Sequence, residues 1–576
     1  MNKRNKATLS FCKNLHCIVL PAISFFPPRL QRLLLLLWLI VFSALFVPSS
    51  YAQTDTLTVR GKIENLTVRL YRQAPEITVA RVNILQSNQE IVRVAQLQPD
   101  GRFELKMPLV YPLEECYVTY ANVVMPFLGE KGTVEITLNG DSLTKSEVPI
   151  RFGGAHAATN NRHAHFYVAF NKWLKANPEK PIKAATGFHF WEKVAQERDR
   201  KIDFYRTSQT VKDTLLDKWV ISSLNDAAKA RFYNYLSQEK QKLALAISAS
   251  TELDTSRFFT FAKADSYRQF TNYALATTPN FPESSLPVNT LARLILQYVP
   301  NISTADSLKL VGYVQGETAK MRELRWLSNL FNQKEDTLRL IAAFELYTRK
   351  FGAAHSAKEL DYLNAVFYAE NTNNFTLKNT TLWYNHLRPG IKNPYYVRSL
   401  DELHHIANLD SALIRATEPK MTNATLNNPL EVVSGVLLTN NTSSSDETLL
   451  WDQLKRKFKG KNVYFIFWTN DELGRNALAE ANALRALLPE KNIAFVYLAE
   501  HKISTEVWME AIIKSKSRGW HIKLDEAQND YFAAIWDIDH APYCVLIDAN
   551  GKFIKRDAPL PSDREEWDKI WDKVLR

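Results

Sequence analysis

The sequence predicts a multidomain chain: an N-terminal all-β, sandwich-like module, a mostly α-helical middle region and a C-terminal α/β domain. Three observations predict it. Short β-rich runs punctuated by Asn, Asp and Gly turns fill residues 53–152. Apolar residues at three- and four-residue spacing then dominate 153–417. After a polar linker with one short strand, 418–447, a buried strand, a tight turn and an amphipathic helix open the last part, 448–576. A length of 576 residues is also that of roughly two to four domains.

Residues 1–52 read as an export signal. Arg29 and Arg32 precede the apolar run Leu33 to Val47, and Ser50-Tyr51-Ala52 places small residues at the cleavage positions. The mature chain is then expected to begin at Gln53 and to act in the periplasm or cell envelope. The run is shorter than the ~20 residues of a typical membrane span, and an uncleaved anchor is the competing reading. No Cys follows the run at the cleavage point, which argues against a lipoprotein. The formal net charge of +11 is concentrated there, because 1–52 hold six basic residues and no acidic one. The remainder carries 66 basic against 61 acidic residues, or +5, too weak a balance for a nucleic-acid binder. Cys12 and Cys17 belong to the leader. Cys116 and Cys544 fall in different predicted domains, so no disulfide framework is expected.

Within 53–152 the β-rich runs are TLTVRGKIENLTVRLYRQ, ITVARVNILQ, EIVRVAQLQPDGRFELKMPL, CYVTYANVVMPFL and GTVEITLNGDSL. Pro99-Asp100-Gly101 and Asn139-Gly140-Asp141 are turn signals, since these residues tolerate the backbone angles a turn needs. The middle region carries helical periodicity in HFYVAFNKWLKANP, FWEKVAQERDRKIDFYRTS, TLLDKWVISSLNDAAKARFYNYLS, SRFFTFAKADSYRQFTNYAL and DTLRLIAAFELYTRKF. Its many aromatic residues read as helix-packing core. His156, His163 and His165 are the densest histidine group, but their spacing does not present one helical face to a metal, and no cysteine or carboxylate completes a set. His404–His405 beside Asp401 and Glu402 reads as a polar helix face. The basic cluster Lys455, Arg456, Lys457, Lys459 and Lys461 reads as a solvated helix end.

The last part centres on Lys461–Leu488. Val463 to Trp468 form an apolar run of strand length, which suits a strand covered on both faces. Thr469, Asn470 and Asp471 offer helix N-cap chemistry, with Glu472 in the first turn. Leu478, Ala481, Leu484 and Leu487–Leu488 repeat at helical spacing and would face the strand. VVSGVLL is a candidate extra strand in the linker. NIAFVYLAE is a second buried strand, STEVWMEAIIKSKS a capped helix, VLIDANGKFIKR a hairpin through Asp548 to Gly551, and REEWDKIWDKVL a closing helix.

GKNVYFIFW with its helix, then HAPYCVLIDANGKFI and DAPLPSD, resemble in order the C-terminal domain of TlpA/ResA-type thioredoxin-like proteins of Gram-negative envelopes. The resemblance covers about residues 430–576. It implies a thioredoxin-like fold and a cis-proline at Pro542, facing the turn where the family carries Trp-Cys-x-x-Cys. Aligned on Phe467–Trp468, those cysteines fall at Glu472 and Arg475, and Asp471 stands for the family Trp. Disulfide exchange needs a nucleophilic thiolate and a resolving thiol, so the motif is degenerate and no catalytic residue is assigned. Trp468, Asp471, Glu472, Ala541 and Pro542 are the candidate binding groove. Cys544 reads as a buried, inert thiol, and Glu472 as a helix-terminal acid.

Two functions follow. The first is an exported, redox-inactive thioredoxin-like protein that binds an envelope protein or peptide, or serves a structural role. A groove beside a cis-proline loop can hold an extended peptide without any thiol. The alternative is a TlpA-like thiol–disulfide oxidoreductase or antioxidant protein working through Cys544 or Cys116. No cofactor, metal, nucleic-acid partner or membrane span of the mature chain is expected.

Overall fold

The computed structural model of the chain describes residues 55–570, except 144, 180, 183–185, 244–252, 254, 280–285, 373–375, 441–446, 486–492, 564–565 and 568. The expected signal peptide, Leu487–Leu488, part of the linker and most of the expected closing helix lie outside the described residues. Among the described residues no helix is long and apolar enough to cross a membrane. The chain is multidomain in construction, with mixed sheets and much helix.

Eight strands open the chain: β1 (Asp55–Glu64), β2 (Glu76–Asn83), β3 (Gln86–Gln96), β4 (Arg102–Leu109), β5 (Leu113–Tyr120), β6 (Val123–Glu130), β7 (Gly132–Asn139) and β8 (Ile150–Gly154). They form two sheets, in the orders β4-β1-β7-β8 and β3-β2-β5-β6. One apolar core lies between them and takes Val59, Phe103 and Val134 from the first sheet and Val79, Val118 and Phe127 from the second. The alternation of buried and solvent-facing residues along β4 explains why its run reads as a half-buried strand. Both predicted turns form. Gly101, at φ +82°, donates to Gln98 O at 2.8 Å, and Asn139 Oδ1 accepts from Asp141 N at 3.0 Å.

One stretch of the first β-rich run departs from expectation. Val68–Gln73 is a helix, α1, not a strand. Thr67 Oγ1 accepts from Leu70 N at 3.1 Å, and Leu70 and Tyr71 pack on the sandwich core. A local cap with two anchoring side chains outweighs β propensity, which depends strongly on context.

The middle region holds α2 (Ala157–Ala176), α3 (Gly187–Ser208), α4 (Thr214–Gln238), α5 (Phe261–Thr277), α6 (Val288–Tyr298), α7 (Thr304–Val314), α8 (Met321–Asn332), α9 (Glu335–Gly352), α10 (Ala357–Asn371), α11 (Leu377–Leu387) and α12 (Pro394–Thr417). Phe258–Phe259, expected within a helix, forms a short strand, β9, that pairs in parallel with Leu113–Glu114 of β5. The helix starts after it because Thr260 caps Lys263 N. Val82, Ile84, Leu85, Val110 and Tyr111 of the sandwich side share one core with the helices. The Tyr111 ring stacks on Phe259 at 4.7 Å and on Tyr395 at 4.5 Å. The Asp401–His405 face is not a solvated polar face throughout. Glu402 ion-pairs with the fully buried Arg81, and His404 stacks on Tyr384 at 3.9 Å. The reason is a buried cation on β2, which has to be matched by a carboxylate. Arg81 Nη1 also lies 3.5 Å from Glu114 Oε2, and Asn83 Nδ2 donates to Glu402 Oε2 at 3.1 Å.

The last part contains β10 (Leu430–Val433), β11 (Val436–Thr439), α13 (Glu447–Lys457), β12 (Asn462–Trp468), α14 (Glu472–Arg485), β13 (Ile493–Ala499), α15 (Thr505–Ser515), β14 (Gly519–Lys523), α16 (Glu526–Trp536), β15 (Tyr543–Ile547) and β16 (Phe553–Lys555). The sheet order is β10-β11-β14-β13-β12-β15-β16. VVSGVLL contributes two strands of a hairpin, β10 and β11, rather than one. β12 pairs in parallel with β13 and antiparallel with β15. Its side chains divide by parity. Tyr464, Ile466 and Trp468 pack with Leu478, Ala481 and Leu484 of α14 and with Trp508 and Ile512 of α15. Val463, Phe465 and Phe467 pack on the other face with Leu454 of α13 and Trp536 of α16. A strand covered on both faces therefore reads as an unbroken apolar run. This arrangement is a thioredoxin-like fold.

Candidate functional site

The site lies where β12 ends and α14 begins. Gly474 N donates to Asp471 Oδ1 at 2.7 Å, and Thr469 Oγ1 donates to Asp471 Oδ2 at 2.5 Å. Asp471 is thus the cap the sequence indicated, and it closes the turn with one carboxylate. Gly474 has a steric reason to be glycine: an added Cβ would lie 2.1 Å from the Thr469 carbonyl oxygen.

Arg475 folds back over this turn. Its Nε and Nη2 donate to Asn470 Oδ1 at 2.9 and 2.7 Å. It is half-buried, and burial lowers its pKa from the ordinary arginine value. The backbone of Glu472 opens α14; its side chain lies outside the described residues.

The Ala541–Pro542 peptide bond is cis, as the resemblance implied. Pairing of β12 with β15 runs to Phe467 opposite Tyr543, so Pro542 is the next residue along, beside Trp468. The structure therefore brings Asp471 and Arg475 to the same edge of the sheet as Ala541 and Pro542. Asp471 is exposed and Ala541 half-buried, whereas Pro542, expected in the groove, is buried and Trp468 is 0 % exposed. Trp468 supports the turn from beneath and does not line an accessible groove, because its ring completes the core against α14 and α15. His540, missed in the sequence, is exposed one residue before Ala541, with Nδ1 2.5 Å from Asp539 Oδ1.

Neither cysteine of the described chain reaches this edge. Cys116 and Cys544 are both free and buried, each in a different core. Burial pushes the Cys544 thiol up to about 12 and raises Cys116 further still. The histidine group is dispersed in role. His163 is buried against Trp219 at 3.5 Å, where burial holds it down at about 3, and His156 Nε2 lies 3.0 Å from Glu130. Among the described residues no three His, Cys, Asp or Glu side chains gather as metal ligands.

No protein-family model matches this chain, and no curated protein matches it. Solved structures similar to it include the crystal structure of the thioredoxin domain of a thiol-disulfide oxidoreductase from Bacteroides vulgatus, at 19% identity over 21% of this chain and 83% of that one, TM-score 0.19. A solution structure of a thiol:disulfide interchange protein from a Bacteroides species matches at 20% identity over 21% of this chain and 77% of that one, TM-score 0.19. A crystal structure of a thioredoxin-like protein from Bacteroides caccae matches at 14% identity over 51% of this chain and 98% of that one, TM-score 0.18.

Proposed function

We propose that this is an exported, envelope-located thioredoxin-like protein that does not exchange disulfides and instead binds a protein or peptide segment beside the turn at 469–472. One observation carries the reading: among the described residues no thiol is accessible. The positions that would hold the exchanging cysteines are Glu472 and Arg475, and both cysteines of the described chain are buried. A thiol held near 12 supplies almost no thiolate at neutral pH. On this reading the segment binds along the edge of Asp471, Arg475, Ala541 and Pro542, where Glu472 and Arg475 stand at the positions of the exchanging cysteines. The alternative, an oxidoreductase working through Cys544 or Cys116, requires a thiol that a substrate disulfide can reach, and burial weighs against it.

The test is disulfide reduction by the purified mature chain with a dithiol reductant, beside Cys544→Ser and Cys116→Ser. No rate above the buffer control is expected in any of the three. Turnover that one Ser variant abolishes overturns the proposal and makes that cysteine a displaced nucleophile.

A further inference from the structure

A cavity of about 470 Å³ lies where all three parts of the chain meet. Its walls come from the first turns of α14, the end of α15, the start of β3, and the facing sides of α5 and α10. It is a volume typical of small-molecule sites. A sphere of that volume is about 10 Å across, the length of roughly three extended residues.

The charges on its wall fall into two kinds. Lys514 is ion-paired with Glu510 at 2.6 Å, and Arg268 with Asp265 at 2.5 Å, so both are compensated from outside the cavity. Neither Arg475 nor Glu370 has a close ion-pair partner among the described residues. Arg475 hydrogen-bonds the neutral amide of Asn470 and feels the carboxylate of Glu510 only at longer range. Glu370 has no hydrogen-bond or ion-pair partner among the described residues. The two face the same space without pairing with each other. Glu370 is open to the cavity, yet enough protein surrounds it that its carboxyl is pushed up to about 7. A ligand of opposite charge at each would gain an ion pair that the described residues do not supply. The wall also includes Asn88, Asn272 and Asn476. Each offers donors and an acceptor, the complement of a peptide group.

We propose that this cavity is a binding site for a short zwitterionic peptide of two or three residues, with its terminal carboxylate on Arg475 and its terminal ammonium towards Glu370. The site shares Arg475 with the edge beside the cis-proline, but Glu370, Asn272 and Asn88 come from other parts of the chain. Guanidinium suits the planar carboxylate. Bridging three parts of the chain, the ligand also stabilises their junction by mass action.

The experiment is calorimetric titration of the full chain with three probes: an equimolar pool of tripeptides with free ends, the same pool N-acetylated, and the same pool C-amidated. The free pool is expected to bind, and each blocked pool to bind about tenfold more weakly. Arg475→Gln should erase the preference for the free carboxylate, and Glu370→Gln the preference for the free ammonium. The wild-type probes decide the matter even if a variant fails to fold. No binding of the free pool overturns the proposal, as do equal affinities for the three pools. So does a folded Glu370→Gln protein that still discriminates against the acetylated pool, since binding would then lie elsewhere.

Discussion

The junction of sandwich and helices and the sheet around β12 are both deeply buried, but they are held in opposite ways. At the junction a fully buried arginine, Arg81, is matched by Glu114 and Glu402, and the cluster joins β2, β5 and α12. Around β12 both faces are apolar, and the strand needs no charge at all. The first kind of interior ties residues 321 positions apart through polar groups that must all be satisfied. The second is generated by a local pattern. Buried charge makes one interface sensitive to proton concentration; apolar burial leaves the other indifferent to it.

Removing one partner from each interior gives the largest effects. Arg81→Ala strands two carboxylates and should cost about 3–5 kcal/mol, while Phe465→Ala opens a cavity at a similar cost of about 3–5 kcal/mol. Denaturant unfolding at several pH values separates them. The Arg81→Ala penalty should shrink in acid, where Glu114, already raised to about 7 by burial, is neutral. The Phe465→Ala penalty should not change with pH. Equal pH responses would mean that buried charge and apolar burial do not differ in this way.

Next in size is Gly474→Ala, expected to cost about 1–3 kcal/mol by overpacking against the Thr469 carbonyl. The turn of the candidate groove must then open, so thermal unfolding should fall together with any segment binding. An unaffected protein would mean that the turn is pliable.

Glu115 tests the junction more gently. It is buried, it accepts from Phe261 N at 2.8 Å, and burial raises its carboxyl to about 7. The unfolded chain ionises near the ordinary 4.5 while the folded chain keeps the proton, so stability should fall as pH rises from about 4.5 to 7. The slope for one such group is at most about 1.4 kcal/mol per pH unit. Glu115→Gln should remove that share, and a profile identical to wild type would show that Glu115 titrates normally. Smallest is Asp471→Ala, which loses the cap of α14 for about 1 kcal/mol. A measured change near zero would show that Asn470 or Thr469 replaces the cap.

Much of the C-terminal architecture is legible in the residues. The parity of Val463–Trp468, the cap at Asp471 and the hairpin at Asp548–Gly551 each rest on neighbours a few positions apart. Pro542 was legible by resemblance, through its place before an apolar strand. Which candidate groove residues are accessible was less so. Trp468 looked available, and only packing against α14 and α15 shows it sealed.

What the sequence determined by itself is therefore periodic or local: which stretches are half-buried strands, which are helices, and where α14 is capped. Tertiary structure decided the rest. It turned Val68–Gln73 into a helix because Leu70 and Tyr71 found the sandwich core. It drew Phe258–Phe259 onto β5 and set Glu402 against Arg81. It also left Arg475 and Glu370 facing one cavity without pairing. Those outcomes depend on which distant groups share a desolvated space, and neither periodicity nor spacing along the chain encodes that.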